Sequence, residues 1–292
     1  MFPAGGGVIF VSLNRSMGTD MQKTSFQNEL VISGVQRRNG ANNTKTDVRK
    51  IQSWLTLFSM LHPDSATATG IDGDFGKATE QAVKNFQAAR SVAQTGIVDQ
   101  TTFDLLTTPM RNAFLKPPVG TDLRQLIVNT AKHHLPNRPY ELVIDQQPNS
   151  GPWIRSYMDG HEGTEWLWCM GFVQTIVDQA TSALGKDFKL LMPLTYSCDV
   201  IGTIGLERGT LIRPTRLRKD PSLAKPGDIF LLQKTPNDWC HTGIIADVKD
   251  DIFETIEGNT NAGGSSNGNA VLSRVRNFRK SNIDVFPIDS LV

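Results

Sequence analysis

The sequence predicts an α+β protein in two parts, an N-terminal three-helix module followed by a larger domain of helices packed on an antiparallel sheet. Three observations predict it. Apolar residues recur at helical spacing at Val48, Ile51, Leu55 and Phe58, at Ala82, Val83 and Phe86, and at Phe103 and Leu106. Pro109, Pro117 and Pro118 then interrupt the pattern. Beyond them, a helical run with Phe172, Val173, Ile176, Val177 and Ala180 precedes β-rich runs at 229–232, 240–248 and 252–259. A chain of 292 residues with 39% hydrophobic and 20% charged residues has material for two cores.

Taken in order, residues 1–45 form an N-terminal extension, partly flexible because of Gly5, Gly6, Gly7 and the polar stretch 37–45, with a short strand expected at 30–35. From residue 46 the pattern sharpens. Thr46 or Asp47 is placed to cap the first helix, and Asp72, Gly73 and Asp74 make a tight turn. Thr79 opens the second helix, Gly96 breaks the chain, and Asp99 or Thr101 caps the third. The module is set at 46–110, the linker at 111–120, and the second domain at 121–292, opening on a helix with Leu123, Leu126, Ile127 and Ala131.

Within this module, Ile71-Asp72-Gly73, Phe75-Gly76, Thr79, Ala82-Val83, Phe86-Gln87 and the later Thr95-Gly96-Ile97-Val98-Asp99 form one continuous signature. Over about 47–106 it resembles the peptidoglycan-binding domain of bacterial and phage wall hydrolases. The resemblance implies a module that attaches the chain to cell-wall peptidoglycan. Most of the matching residues are core or turn positions, so it says where the protein goes and not what it cuts.

Charge and composition exclude several classes. A formal net charge of +1, with no basic recognition pattern, argues against nucleic acid as a partner. The basic stretch 213–219 reads as a solvated surface. No apolar run approaches the roughly 18 residues of a membrane span, so no stable membrane insertion is expected. The apolar residues 8–11 are too few for a signal-peptide core. The expectation is a monomer made in the cytoplasm that reaches the wall or periplasm by holin-type release or another export route. Cys169, Cys198 and Cys240 cannot all pair within the chain and show no CxxC spacing, which leaves at least one free thiol.

That thiol has a chemical context. Cys169 stands at the start of the 172–180 helical pattern, where free backbone N–H groups and the positive end of the helix dipole favour a thiolate. His241 stands near the start of a strand that follows the turn Lys225-Pro226-Gly227-Asp228 and the strand at 229–232. The turn at Asp250-Asp251 sends the chain back antiparallel, bringing Glu257 toward His241, with Asn259 on the same face by the period of two. Thiol, imidazole and an orienting carboxylate are the parts of an activated nucleophile. Cys240 alternates to the opposite strand face and reads as packing.

Trp168-Cys169, Phe172-Val173, Lys225-Pro226-Gly227-Asp228, His241-Thr242-Gly243-Ile244 and Glu257-Gly258-Asn259-Thr260-Asn261, with the upstream stretch 149–157, give residues 121–290 their family likeness. This half resembles the CHAP group of cysteine, histidine-dependent amidohydrolases and peptidases, related to the NlpC-type and papain-like hydrolases. The resemblance implies a papain-like catalytic domain in which Cys169 is the nucleophile, His241 the base, Glu257 its orienting partner, and Asn259 a supporting polar residue. Trp168 stands where many relatives have a glutamine that donates to the oxyanion; the Cys169 backbone N–H is one donor available instead. Trp153, Trp166, Trp168 and Trp239 are candidates to wall a substrate groove. A calcium loop at 159–165, with His161, Glu162 and Glu165, lacks the alternation such loops need; no HExxH zinc pattern occurs, and nothing singles out Glu162 and Glu165 as a glycosidase pair. No metal and no cofactor is expected. The composite implies an endolysin-like peptidoglycan hydrolase acting as an N-acetylmuramoyl-L-alanine amidase or an endopeptidase. The alternatives are an exported antibacterial toxin of the same chemistry and a wall-binding protein without activity.

Overall fold

The computed structural model describes residues 21–263 and 265–291. The glycine run 5–7 and the apolar residues 8–11 lie outside the described residues. In chain order the helices are α1 (Lys45–Leu61), α2 (Lys77–Ala89), α3 (Gln100–Leu106), α4 (Thr108–Leu115), α5 (Leu123–His134), α6 (Pro152–Tyr157), α7 (Cys169–Ser182), α8 (Cys198–Glu207) and α9 (Pro214–Lys219). The strands are β1 (Leu142–Ile144), β2 (Gln147–Ser150), β3 (Ile229–Thr235), β4 (Asp238–Lys249), β5 (Ile252–Thr260), β6 (Ala270–Asn277) and β7 (Ile283–Phe286). The chain divides into a helical unit, residues 25–112 with 140–164, and an α+β unit, the described residues before 25 with 113–139 and those from 165 on.

The helical unit is built as its apolar spacing requires. Val48, Ile51 and Leu55 of α1, Ala82, Val83 and Phe86 of α2, and Phe103 and Leu106 of α3 are all buried. Gln52, also buried, ties this core to the tight turn: its amide donates to Asp72 Oδ1 (2.8 Å) and to the Asp74 carbonyl (3.0 Å), and its oxygen accepts from the Gly73 N–H (2.8 Å). Asp99 caps α3 as expected, accepting from the Thr102 N–H at 2.7 Å.

Three expectations are corrected here. The cap of α1 is Thr44, whose hydroxyl accepts from the Asp47 N–H at 3.1 Å. Asp47 is engaged elsewhere, accepting from the Ser33 N–H and hydroxyl (2.9 and 2.5 Å). No strand forms at 30–35; a 3-10 helix spans Ser25–Leu30, and Gln36 bridges to Val98. The linker expected at 111–120 is helical as far as Leu115, because Met110, Ala113 and Phe114 bury their side chains.

The unit also takes in residues expected in the other half. The hairpin β1–β2 and α6 cluster with residues 25–112 rather than with the rest of 121–292. The physical reason is that α6 completes this core. Trp153 meets Trp54 of α1 edge-on with ring centroids 6.0 Å apart. Arg155 grips Glu29 through two bonds of 2.7 Å and reaches Glu162 at 2.8 Å. Arginine suits a planar, two-pronged carboxylate contact of this kind.

The α+β unit is a five-stranded antiparallel sheet in the order β6-β5-β4-β3-β7. Helix α7 packs on β4, β5 and α5, and α8 packs on β4 and β7. With neighbours on both sides, every residue of α7 from Cys169 to Thr181 is buried, the polar Gln174, Thr175, Asp178, Gln179 and Thr181 included. The Lys225-Pro226-Gly227-Asp228 turn is held by Asp228, which accepts from the Lys225 and Ile288 N–H groups (2.9 and 3.1 Å) and from Arg124 (2.8 Å). That anchorage fixes the entry of β3 and hence the register of β4 beside it. Among the described residues, no helix is long and apolar enough to cross a membrane.

Candidate active site

Cys169 is the first residue of α7, and its N-cap, Trp168, offers no side-chain cap. The leading N–H groups of α7 therefore remain available beside the thiol, where they stabilise negative charge. His241 and Glu257 come from adjacent strands β4 and β5 and are fully buried; Cys169 is 4% exposed. His241 Nε2 lies 2.9 Å from Glu257 Oε2. Its other ring nitrogen, Nδ1, has no hydrogen-bond partner of ordinary geometry and is the one left to serve the thiol.

The register explains how Glu257 reaches the imidazole. Ile244 pairs with Ile256, which sets Gly243 across from Glu257, and His241 lies two residues away on the same face. A side chain at Gly243 has no room: a Cβ there comes within 2.8 Å of the Ile256 carbonyl and of Phe230, and within 2.9 Å of Glu257 Cγ. The bare glycine is the corridor through which the carboxylate passes. We expect Gly243→Ala to displace Glu257 and cost about 1–3 kcal/mol of stability, the usual range for overpacking. The check is the imidazole titration followed by NMR, which should fall from about 9 toward 6.5. An unmoved His241 titration counts against the corridor.

Two further groups hold Glu257. Thr255 donates to Oε1 at 2.6 Å, and Arg276 of β6 grips the carboxylate through Nε (2.7 Å to Oε1) and through Nη2 to Oε2. The Arg276 guanidinium also lies over the Phe230 ring, 5.7 Å from its centroid. Burial raises the Glu257 carboxyl, but the bonds from Arg276 and His241 outweigh it and hold it down at about 2. For His241, burial works toward the neutral form; the adjoining Cys169 thiol and the bond to Glu257 override it and push the imidazole up to about 9. The Cys169 thiol is lowered well below the ordinary range, first by the Cys198 thiol and then by His241, against the effect of burial. A thiolate facing an imidazolium is the resting form these shifts favour.

Asn259 does not reach His241. In the amide orientation that satisfies both ends, its oxygen accepts from the Trp168 N–H (3.3 Å) and its nitrogen donates to the Gly268 carbonyl (2.5 Å). It thus fixes the residue immediately before the thiol, at the mouth of α7.

The tryptophans divide. Trp168 is fully buried and packs over Gly258, where a Cβ would meet its ring at 3.0 Å and Phe172 at 2.5 Å. Trp239 is buried too, its indole N–H donating to Asp284 Oδ2 at 2.7 Å. Neither walls an open groove, because both rings are consumed by the core. Trp166 is partly exposed and meets Tyr196 edge-on at 5.6 Å. Cys240 is half-buried on β4, its thiol directed at the Leu232 carbonyl (3.7 Å). Glu162, weighed as a metal ligand, is occupied by Arg155 and the Gly151 N–H (2.7 Å).

Sequence reasoning missed Arg276, Thr255 and Cys198. Thr255 was recoverable, since it sits two residues before Glu257 on the same strand face. Cys198 heads α8 with its sulfur 3.9 Å from that of Cys169.

Comparison with known proteins bears on the other unit. Residues 44–106 match the family described as a putative peptidoglycan binding domain. The match covers α1, α2 and α3 and the turns between them. Neither a curated protein nor a solved structure matches the chain.

Proposed function

We propose that this chain is a peptidoglycan hydrolase, in which the helical unit holds the wall and Cys169 cleaves an amide bond within it by a papain-like, CHAP-type mechanism. The observation that carries the reading is the buried line Cys169–His241–Glu257, with the thiol at an uncapped helix start, in a chain whose 44–106 segment matches a wall-binding family.

The chemistry follows from the groups present. The Cys169 thiolate attacks the amide carbonyl, and the carbonyl oxygen gains negative charge beside the leading N–H groups of α7. His241, protonated at Nδ1, gives that proton to the leaving amine as the C–N bond breaks, leaving a thioester on Cys169. The neutral imidazole then takes a proton from water, whose oxygen attacks the thioester, and the acid product leaves as the thiolate re-forms. Throughout, Glu257 holds Nε2 and stabilises the imidazolium, itself fixed by Arg276 and Thr255. The bond is either the N-acetylmuramoyl–L-alanine link or a peptide bond of the stem or cross-bridge.

Mass spectrometry of fragments released from purified peptidoglycan tests the reading, because each new amine end identifies the bond. Release should lose rate as pH rises through about 9, where His241 loses its proton. Activity that climbs steadily past that point contradicts an imidazolium acid. A second reading, a wall-binding protein without activity, has one observation in its favour: the thiol is only 4% exposed. Binding of intact walls with no fragment released from any peptidoglycan type would decide for it.

A further inference from the structure

We propose that Cys198 is a positioning residue for Cys169: its S–H donates to the Cys169 sulfur and fixes which of the two thiols bears the negative charge. The proposal rests on the hydrolytic reading of Cys169 for its consequence, though its test does not.

The two sulfurs lie 3.9 Å apart, within reach of an S–H···S contact, and both cysteines are free and buried. Each is the first residue of a helix, so position alone does not favour one thiolate over the other. The surroundings break the tie. The start of α7 has no side-chain cap, whereas the start of α8 is capped by Ser197, whose hydroxyl accepts from the Asp199 N–H at 3.2 Å. Beside Cys198 stands the Asp199 carboxylate, which accepts from the Trp239 N–H (2.6 Å) and disfavours a second negative charge. Beside Cys169 stands His241 of β4, backed by Glu257 of β5 and Arg276 of β6. Cys240, also on β4, is close enough to interact electrostatically with both, but its thiol is directed at the Leu232 carbonyl. Charge therefore settles on Cys169, and Cys198 remains protonated as the donor. A thiol is a weak donor to neutral acceptors, and a thiolate acceptor strengthens the bond.

The experiment is the pH dependence of iodoacetamide alkylation of the full chain, read for each cysteine by peptide mass spectrometry. In the unmodified protein Cys169 should react at lower pH than Cys198; the reverse order overturns the proposal without any variant. Cys198→Ala should move the Cys169 midpoint up by about one pH unit, a tenfold loss of thiolate on the acid side. Cys198→Ser, which keeps a donor, should restore most of that shift. An alanine variant that folds and leaves the Cys169 midpoint unmoved also overturns it. Because alkylation reads the thiolate and not wall cleavage, a protein that titrates as expected but still cuts walls after Cys169→Ser would sink the hydrolytic reading alone.

Discussion

Cys169→Ser should lower the release of peptidoglycan fragments by about 10³-fold or more, while the circular dichroism of the folded chain stays unchanged. Serine keeps the size and position of the side chain at the start of α7, so its buried surroundings need not rearrange. What it loses is the anion. The Cys198 contact and His241 lower the thiol well below its ordinary range, toward the thiolate, whereas a hydroxyl in the same place stays protonated. His241→Ala should cost a comparable factor, because the nucleophile then has neither a counter-charge nor a proton donor for the leaving amine. The two losses should not add, since both remove parts of one unit; the double variant should be about as slow as either alone. Retained lysis by a folded Cys169→Ser protein is incompatible with the thioester route.

The second large effect is on stability. Glu257→Ala should destabilise the α+β unit by about 3–5 kcal/mol, seen as a lower urea midpoint, because it strands two buried partners. The guanidinium of Arg276 keeps only 13% of its side-chain surface exposed, and His241 keeps none. The pH window has a definite sign. Glu257 is depressed from 4.5 to about 2, so its contribution is full above 4.5 and disappears as pH falls through 2. His241 is raised from 6.5 to about 9, so its contribution is full below 6.5 and disappears as pH rises through 9. The gap between native and Glu257→Gln midpoints should therefore be widest between about 4.5 and 6.5 and narrow on both sides. A gap that is flat with pH would mean that the carboxylate acts by packing alone.

Much of this was legible in the sequence because it depends on short-range rules. The three helices of the N-terminal module follow from apolar spacing, and the start of α7 at Cys169 from the pattern that follows it. Glu257 beside His241 follows from a two-residue period and one hairpin turn. Arg276 was not legible, because it reaches Glu257 along a diagonal between β5 and β6 that only the register fixes. Cys198 was not legible either: nothing local tells that two helix starts 29 residues apart face each other. The tryptophans were misjudged for a related reason. Hydrophobicity says that a ring wants burial, but only tertiary packing says whether a core or an open wall provides it, and for Trp168 and Trp239 a core does. The cap moved from Thr46 or Asp47 to Thr44 because Ser33, distant from the helix start in sequence, claims Asp47.

The excursion of residues 140–164 into the helical unit has a consequence for synthesis and for cutting. A ribosome that has finished the stretch matching the wall-binding family has not yet delivered Trp153, the partner of Trp54, which follows about fifty residues further on. The nascent module must wait, its tryptophan face open, while α5 of the other unit emerges first. The same threading means that a protease nick near Pro117 or Pro118 does not release an intact helical unit. The fragment upstream of the cut lacks β1, β2 and α6, and the fragment downstream carries them away from the core they complete. The chain passes from one unit to the other at 24–25, 112–113, 139–140 and 164–165, so a single cut between 113 and 139 leaves the helical unit divided between two fragments.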